Sequence, residues 1–316
     1  MRRCTIWAIL LVLFPFPGFA GPFPEIVVFG DSLSDSGNLL FFDEQPEPDP
    51  QLYYQGRLSN GPVWVEYLAE PQRLDAALTD LALAGAQSDG LIPPGLIEQV
   101  TVYVAAVGPP LAADTLFVIW VGGNDFLNDG DGFASVVANI DQAVESLVQA
   151  GAMHLLIVNL PDLGAIPDTL GTPEADQATA FTNDFNQALG ALLDQFSVDY
   201  PGVGFYLFDV FSYFETVRAE PDAFGFVNAT APSPNFAVED NFDGAGHVFW
   251  DERHPTTRMH ALIADQAFAA VNAQFTPASG TPAAVDDDDD FTCFINLLLD
   301  GGHPPRSDAE TSFDER

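Results

Sequence analysis

Four short stretches of the chain are almost continuously apolar. Two of them end in glycine-containing turns, as strands do when a parallel sheet buries them on both faces. Their length, four to eight residues, also suits strands better than helices. Strands are therefore predicted at residues 25–29, 115–121, 154–159 and 203–208.

Between and after these stretches, apolar residues recur at the spacing of an amphipathic helix. The pattern covers residues 133–150 and 175–196, and residues 257–275 close it with a final helix. Because strands and helices alternate along the chain, the sequence predicts an α/β domain. Its sheet should be parallel and covered by helices on both faces.

Two long segments interrupt the alternation. Residues 41–56 are rich in acidic residues and proline, and residues 225–246 are rich in Asn, Pro, Asp and Gly. Long loops of this kind are often lids or substrate-shaping insertions. Beyond Thr276, a linker leads into an acidic tail, residues 277–316, which we expect to be flexible and solvated. Its run of five aspartates, residues 286–290, lacks the glycine and the closing glutamate of a calcium loop.

The first twenty residues have the pattern of a secretory signal peptide. Two arginines precede an apolar stretch, residues 6–16, and a small-x-small cleavage pattern follows at residues 18–20. A membrane anchor is the alternative, but the apolar stretch is shorter than the roughly 20 residues of a spanning helix, and prolines interrupt it. We therefore expect export to a secreted or periplasmic location, with one folded domain at residues 21–276. Cleavage would leave Cys293 as the single cysteine, so no intramolecular disulfide is expected.

The charge of the chain is strongly one-sided. Nine arginines and no lysine stand against 46 acidic residues, so the formal net charge is −37. Cleavage after residue 20 removes two of those arginines and no acidic residue, which leaves −39. The absence of lysine excludes Schiff-base and pyridoxal-phosphate chemistry and a lysine-bearing phosphate loop. The scarcity of cationic side chains disfavours a nucleic-acid partner. The acidic excess predicts a solvated anionic surface and a protein that needs salt for full stability.

The most informative polar segment directly follows the first predicted strand. The sequence VVFGDSLSDSGN, residues 27–38, leads from apolar residues through Gly30 and Ser32 into a polar helix start. A serine at the carboxyl end of a parallel strand lies where α/β folds place their sites. The N–H groups of a helix start would also favour negative charge that develops beside it. Ser32 is therefore a candidate nucleophile, although Ser32 and Ser34 can equally be helix caps.

A second polar segment, FWDERHP at residues 249–255, places Asp251 three residues before His254. A histidine can accept the proton of a serine, and a carboxylate can hold its imidazole in the working tautomer. Pro255 would start the helix that follows. Taken alone, the segment can also be a polar loop with a helix cap. None of the other four histidines has a comparably placed carboxylate and helix start. They are His154, His247, His260 and His303.

Two shorter segments supply candidate hydrogen-bond donors. At residues 121–125, VGGND follows another predicted strand and presents the side-chain amide of Asn124. Such an amide can stabilise an oxyanion, but Asn and Asp with glycines are also a common turn composition. At residues 83–86, LAGA follows a short apolar run, and the N–H of Gly85 is a further candidate donor.

In the order FGDSLSDSGN, AGA, GGND and FWDERHPT, these segments resemble the GDSL subgroup of the SGNH hydrolases, a family of esterases and lipases. The resemblance spans residues 25 to about 275. It implies Ser32 as nucleophile, His254 as general base and Asp251 as the orienting acid. It also implies an oxyanion hole formed by the N–H of Ser32, Gly85 and Asn124. One departure is Leu81, which stands where the family's block usually has asparagine.

The resemblance also carries a fold. It implies a flavodoxin-like three-layer sandwich around a five-stranded parallel sheet of order 2-1-3-4-5, which agrees with the alternation of strands and helices. Family members need no metal or cofactor, and the sequence has no His/Cys ligand cluster.

The predicted function is a secreted serine esterase or lipase that hydrolyses carboxylic esters through an acyl-enzyme. Its partner would be a small-molecule or lipid ester, with no nucleic acid and no stable membrane span. A polysaccharide O-acetyl esterase and a lipid acyltransferase would use the same triad. A secreted binding module without turnover is an alternative from another class. The sequence does not distinguish the enzymatic alternatives, whereas the presence of all the catalytic residue types disfavours the binding module. It does not give an oligomeric state.

Aromatic residues of the two long loops are compatible with two roles. They either line an acyl pocket or pack in the protein interior. They are Tyr53, Tyr54, Phe224, Phe226 and Phe236.

Overall fold

The computed structural model describes residues 22–41, 49, 51–129, 132–234 and 244–275. Several sequence predictions fall outside these described residues: the signal peptide at 1–20, Phe236, Cys293, the aspartate run at 286–290 and the tail at 277–316.

Within the described residues, five strands form one parallel sheet in the order β2-β1-β3-β4-β5. The strands are β1 (Glu25–Gly30), β2 (Ala77–Asp80), β3 (Leu116–Trp120), β4 (His154–Val158) and β5 (Gly204–Phe208). The predicted sheet order is confirmed, and the four strands predicted from apolar runs are observed within one residue at each end. The sequence pattern did not predict β2, because this edge strand is partly exposed and lacks a continuous apolar run.

Helices occupy the segments between the strands. They are α1 (Trp64–Ala69), α2 (Leu96–Val107), α3 (Phe133–Ala150), α4 (Ala175–Asp199), α5 (Val210–Ala219) and α6 (Thr257–Gln274). The predicted helices correspond to α3, α4 and α6, whereas α1, α2 and α5 were not predicted. In α2 the buried face includes the polar Gln99, which interrupts the apolar periodicity.

The helices form two layers around the sheet. Connections between parallel strands are right-handed. A helix in a connection that runs one way across the sheet therefore covers one face, and a helix in a connection that runs the other way covers the opposite face. Accordingly α1 packs against α6, while α2, α3 and α4 pack side by side. The chain leaves β1 towards β2 and leaves β3 towards β4. These two neighbouring strands therefore open a crevice at their carboxyl ends, which is where ligands bind in such folds.

The segment at residues 225–246 is not wholly a loop, so that prediction was wrong in part. It contains β6 (Asn228–Pro232), which pairs with β7 (His247–Phe249) in a small parallel sheet. Its sequence, NATAP, contains no apolar run, so the pattern of apolar residues did not predict this strand. Among the described residues, no helix has both the length and the apolar character needed to cross a membrane.

Candidate active site

Ser32 lies on a tight turn at the carboxyl end of β1. Gly30 ends the strand, and a Cβ atom there would stand 3.0 Å from the carbonyl oxygen of Trp120 on β3. The side chain of Gln99 brackets the same glycine: its Oε1 accepts the Gly30 N–H at 2.9 Å and its Nε2 donates to the Gly30 carbonyl at 2.9 Å. The end of β1 is thus fixed, and Ser32 lies in the wall of an open cleft.

The predicted helix start after Ser32 is reduced to a single turn. Both Ser34 and Asp35 donate their N–H groups to the carbonyl of Asp31, at 3.0 Å each. The carboxylate of Asp35 then accepts the N–H of Gly37 at 2.7 Å and of Asn38 at 2.6 Å. Because a side chain takes the donors that a helix would use, the helix does not continue.

Ser32, His254 and Asp251 form a continuous line of hydrogen bonds. His254 Nε2 lies 2.9 Å from Ser32 Oγ, and His254 Nδ1 lies 2.8 Å from Asp251 Oδ2. The two ring nitrogens of one histidine therefore face a hydroxyl on one side and a carboxylate on the other. This arrangement can move a proton from the serine while the carboxylate stabilises the imidazolium that forms.

Asp251 is buried, yet it is held in its charged form. Burial would raise the pKa of Asp251, but the neighbouring His254 and the hydrogen bonds to the carboxylate lower this pKa to about 2. Its Oδ1 accepts the backbone N–H of Arg253 at 2.8 Å and of His254 at 2.7 Å. Its Oδ2 also accepts the hydroxyl of Tyr53 at 2.8 Å. The carboxylate is thus ionised throughout the neutral range.

The segment that carries Asp251 and His254 is a closed turn between β7 and α6. The N–H of Trp250 donates to the carbonyl of His254 at 2.7 Å, across the base of the turn. The helix begins at Thr257, with the side chain of Thr256 as its cap, so Pro255 precedes the helix instead of starting it. The carbonyl of Pro255 accepts the Ser59 hydroxyl at 2.9 Å, which anchors the turn to the rest of the domain.

The two predicted oxyanion segments are joined to each other. Asn124 Nδ2 donates to the carbonyl of Ala86 at 2.9 Å, and the carboxylate of Asp125 accepts the N–H of Ser88 at 3.0 Å. One N–H of the Asn124 amide is used in this way, and Asn124 lines the cleft beside Ser32. Gly85 adjoins Ala86 and has a φ of +81°, but it is not among the residues that line the cleft.

The cleft is mostly apolar and has a volume of about 580 Å³ including its open mouth. A short π-helical turn, Asp125–Asp129, follows Asn124 and contributes one apolar side chain. The apolar lining consists of Leu33, Trp120, Leu127, Leu160, Pro161, Leu163, Ile166, Phe214, Phe249 and Pro255. Several of these residues follow the ends of β3 and β4, a position that could have identified them from the sequence.

Two charged groups in the cleft wall were also missed from the sequence. Burial raises the pKa of Asp31, next to the serine, to about 7. Arg253 Nε donates to Asp168 Oδ2 at 2.7 Å, and its Nη1 donates to Asn128 Oδ1 at 3.1 Å. Within the described ranges, no group of three His, Cys, Asp or Glu side chains is arranged to hold a metal ion.

The four long-loop aromatic residues that the structure describes, Tyr53, Tyr54, Phe224 and Phe226, do not line the cleft. Phe226 is buried in the core, and Phe224 packs edge-on against Tyr213 with ring centroids 6.0 Å apart. The ring of Tyr54 lies 5.7 Å from the guanidinium of Arg57. The packing alternative therefore applies to these three residues. Tyr53 instead contacts Asp251 through its hydroxyl, which is neither of the two predicted roles.

Comparison with known proteins identifies the family. Residues 26–267 match the family model for GDSL-like lipase/acylhydrolase. The chain therefore belongs to the GDSL-like lipase/acylhydrolase family of carboxylic ester hydrolases.

Two curated relatives are similar over most of this chain. The thermolabile hemolysin of Vibrio parahaemolyticus serotype O3:K6 is 32% identical over 272 residues, which cover 78% of this chain and 64% of the hemolysin. The phosphatidylcholine-sterol acyltransferase of Aeromonas hydrophila is 26% identical over 317 residues, which cover 80% of this chain and 91% of that enzyme. The chain thus spans less than two thirds of the hemolysin's length.

The fold is shared with a solved structure, an alpha/beta hydrolase enzyme from the metagenome of Lake Arreo, Spain. The match covers 80% of this chain and 97% of that one, with a TM-score of 0.50 and 14% identity.

Proposed function

We propose that this protein is a serine esterase that hydrolyses carboxylic esters through the triad Ser32, His254 and Asp251. The observation that carries the proposal is the unbroken line of contacts, with 2.9 Å between Ser32 Oγ and His254 Nε2 and 2.8 Å between His254 Nδ1 and Asp251 Oδ2. Both distances are within hydrogen-bond range without any movement of the side chains. Family membership supports the same reaction class.

The reaction proceeds by acyl transfer to the enzyme. Ser32 Oγ attacks the ester carbonyl carbon while His254 Nε2 accepts the hydroxyl proton, which gives a tetrahedral oxyanion and an imidazolium. His254 then protonates the leaving alcohol oxygen as the C–O bond breaks, and an acyl-serine remains. Water attacks the acyl-serine by the same route, with His254 as base, and releases the acid. Asp251 stays ionised throughout.

The oxyanion would be stabilised by the N–H of Ser32, the free N–H of the Asn124 amide and the N–H of Gly85. The hydrogen bond from Asn124 to the carbonyl of Ala86 supports a shared role of Asn124 and Gly85 as oxyanion donors, because it fixes the loop of Gly85 to the loop of Asn124. Loss of one such donor typically lowers kcat by about 10²–10³-fold.

The substrate would place its acyl chain in the apolar cleft. Carbon chains are stabilised by contact with the cleft's leucine, isoleucine and phenylalanine side chains, in the manner of other apolar ligand sites. Small-molecule or lipid esters with an apolar acyl group are therefore the proposed substrates.

Transfer of the acyl group to an alcohol is a second candidate. It is supported by similarity to the Aeromonas hydrophila acyltransferase over 91% of that enzyme's length. Addition of an alcohol acceptor to the assay tests it: a new ester as product would support transfer, and free acid as the sole product would exclude that acceptor.

The decisive experiment measures initial rates on p-nitrophenyl esters, together with labelling by a fluorophosphonate. Ser32→Ala should abolish both. Ser146→Ala is the matched control, because this serine lies on the exposed surface of α3 and bonds only to a helix carbonyl. A Ser32→Ala protein as active as the wild type would disprove the triad. An inactive and unlabelled wild type would favour a binding module.

We also propose that residues 1–20 direct export and are removed, that the catalytic domain comprises residues 21–276, and that the acidic tail, residues 277–316, is dispensable for ester hydrolysis. N-terminal sequencing of protein recovered from outside the expressing cell tests the cleavage site. The rate of a chain that ends at residue 276 tests the role of the tail.

A further inference from the structure

A tyrosine from the long loop before α1 contacts the acid of the triad. Tyr53 Oη donates to Asp251 Oδ2 at 2.8 Å, and the same oxygen lies 2.8 Å from His254 Nδ1. A carboxylate can only accept hydrogen bonds, so the direction of donation from the tyrosine is fixed. One oxygen of Asp251 is therefore shared between the base of the triad and a neutral hydroxyl.

Backbone contacts hold Tyr53 in place on both sides. The preceding carbonyl, that of Leu52, accepts the indole N–H of Trp250 at 2.9 Å. Tyr53 itself donates its backbone N–H to Asp49 at 2.8 Å, and Tyr54 donates its N–H to Ser59 at 2.9 Å. Because Trp250 directly precedes Asp251, the tyrosine loop and the acid turn are connected through backbone and side chain together.

The charged surroundings keep the hydroxyl protonated. Burial, with Asp251 and Glu252 nearby, raises the pKa of Tyr53 well above its ordinary range. His254 faces Asp251, and it also interacts electrostatically with Asp31 and with the buried His260. Apart from His254 itself, these groups, namely Glu252, Asp31 and His260, make no hydrogen bond to Asp251 Oδ2. The hydroxyl of Tyr53 is thus a neutral donor to that oxygen across the pH range in which His254 acts as a base.

We propose that Tyr53 is a positioning residue of the active site, which orients Asp251 and limits how strongly this carboxylate stabilises protonated His254. The inference rests on the proposed function. A hydrogen bond from Tyr53 disperses part of the negative charge on Asp251 Oδ2. Without it, the full charge would act on His254, the imidazolium would be favoured, and a larger fraction of His254 would be protonated at a given pH.

The test compares the pH profile of kcat/KM for wild type, Tyr53→Phe and Tyr54→Phe on p-nitrophenyl butyrate. Tyr53→Phe should move the midpoint of the acid limb to higher pH by about half a unit to one unit, because a hydrogen bond to a charged group shifts titration by this order. It should also lower kcat at the plateau by about three- to tenfold with little change in KM, as expected for lost orientation. Tyr54→Phe, at a neighbouring residue that is also partly buried but not bonded to the triad, should change neither quantity.

A double-mutant cycle separates this role from a general effect on the loop. In an Asp251→Asn background, Tyr53→Phe should no longer shift the acid limb, because the carboxylate through which it acts is gone. Thermal unfolding of each variant is measured alongside. A Tyr53→Phe profile that superimposes on that of the wild type, or an equal shift in the Asp251→Asn background, would overturn the inference. Either result leaves the triad itself intact, whereas a wild type that is inactive and unlabelled would remove the proposed function.

Discussion

The carboxylate of Asp35 accepts the backbone N–H of Ala84 at 2.8 Å. Asp35 belongs to the turn that carries Ser32, and Ala84 precedes Gly85, so a buried side chain connects the proposed nucleophile to one proposed oxyanion donor. The same carboxylate accepts the N–H groups of Gly37 and Asn38. Both oxygens are therefore engaged, and the geometry of two catalytic loops depends on one aspartate.

Replacement of this carboxylate tests that dependence. Asp35→Asn should lower the free energy of unfolding by about 2 kcal/mol, because the amide nitrogen would face N–H donors that lose their acceptor. It should also reduce kcat, since Ala84 and hence Gly85 lose their anchor. Asp49→Asn is the control, because the side chain of Asp49 accepts one exposed N–H, that of Gln51, within its own turn, and the backbone carbonyl that accepts the N–H of Tyr53 is kept. Urea unfolding and kcat measure both effects; equal behaviour of the two variants would contradict the prediction.

Gly85 can be tested against a glycine with a similar positive φ. Gly85 has a φ of +81°, and Gly108, at the end of α2, has a φ of +75°. An added Cβ meets only Pro93 Cγ at 3.7 Å in the first case and nothing within 4 Å in the second. Each Gly→Ala change should therefore cost about 1 kcal/mol of stability through strain alone.

Only Gly85→Ala should also lower kcat, by about 10-fold or more, because a rotated backbone would misdirect the proposed donor. Steady-state kinetics and urea unfolding of the pair measure this difference. If both variants retained the kcat of the wild type, Gly85 would not be an oxyanion donor.

The proposed acyl cleft predicts a dependence on chain length. Ile166 is buried in the cleft wall, and Ile166→Trp should fill the space beyond the serine. We expect kcat/KM to fall most for long acyl chains and least for acetyl esters, since each buried CH₂ contributes about 0.8 kcal/mol. Ile92→Trp, at a side chain that is 96% exposed, should leave the length profile unchanged. A uniform loss across all chain lengths with Ile166→Trp would place the acyl chain elsewhere.

The sequence predicted the elements whose signal is local. The strands that end at Gly30 and Trp120 are continuously apolar, and Asp251 and His254 are separated by one short turn. β2 was missed because its exposed edge has no apolar run. Likewise α2 was missed because Gln99 occupies its buried face in order to bind the backbone of Gly30.

The rest of the site depends on contacts that no spacing in the sequence reveals. Tyr53 lies 198 positions from Asp251 in the sequence, and Ser59 lies 196 positions from Pro255. The apolar cleft residues come from loops after different strands and also from β3, α5 and β7, so only the packing of these elements brings them together. Of the two roles that the sequence left open for the aromatic loop residues, Phe226 and Phe224 have the packing role.

Buried carboxylates should make the protein less stable as the pH rises. Burial, followed by the charge of Asp35, raises the pKa of Asp80 to about 8, and burial raises the pKa of Asp35 to about 6. Between about pH 4 and these values the folded state holds protons that the unfolded chain has released. The free energy of unfolding should therefore fall with rising pH, by up to about 1.4 kcal/mol per pH unit for each group.

The contribution of Asp251 to stability depends on pH in the opposite direction, because the pKa of Asp251 is lowered to about 2. Its contribution is present above the ordinary aspartate pKa and is lost only as the pH falls towards 2. The two effects together predict a stability maximum near pH 4 to 5.

Urea unfolding at several pH values, in about 0.5 M NaCl to screen the acidic surface, measures the slope. Asp80→Asn should flatten the fall in stability between about pH 5 and 8, because the amide does not titrate, even if the overall stability is lower. Asp75→Asn, at an exposed position, should keep the slope of the wild type. A slope unchanged by Asp80→Asn would mean that Asp80 is ionised in the folded protein at neutral pH, and that the backbone N–H groups of Ser36 and Ala82 outweigh the effect of its burial.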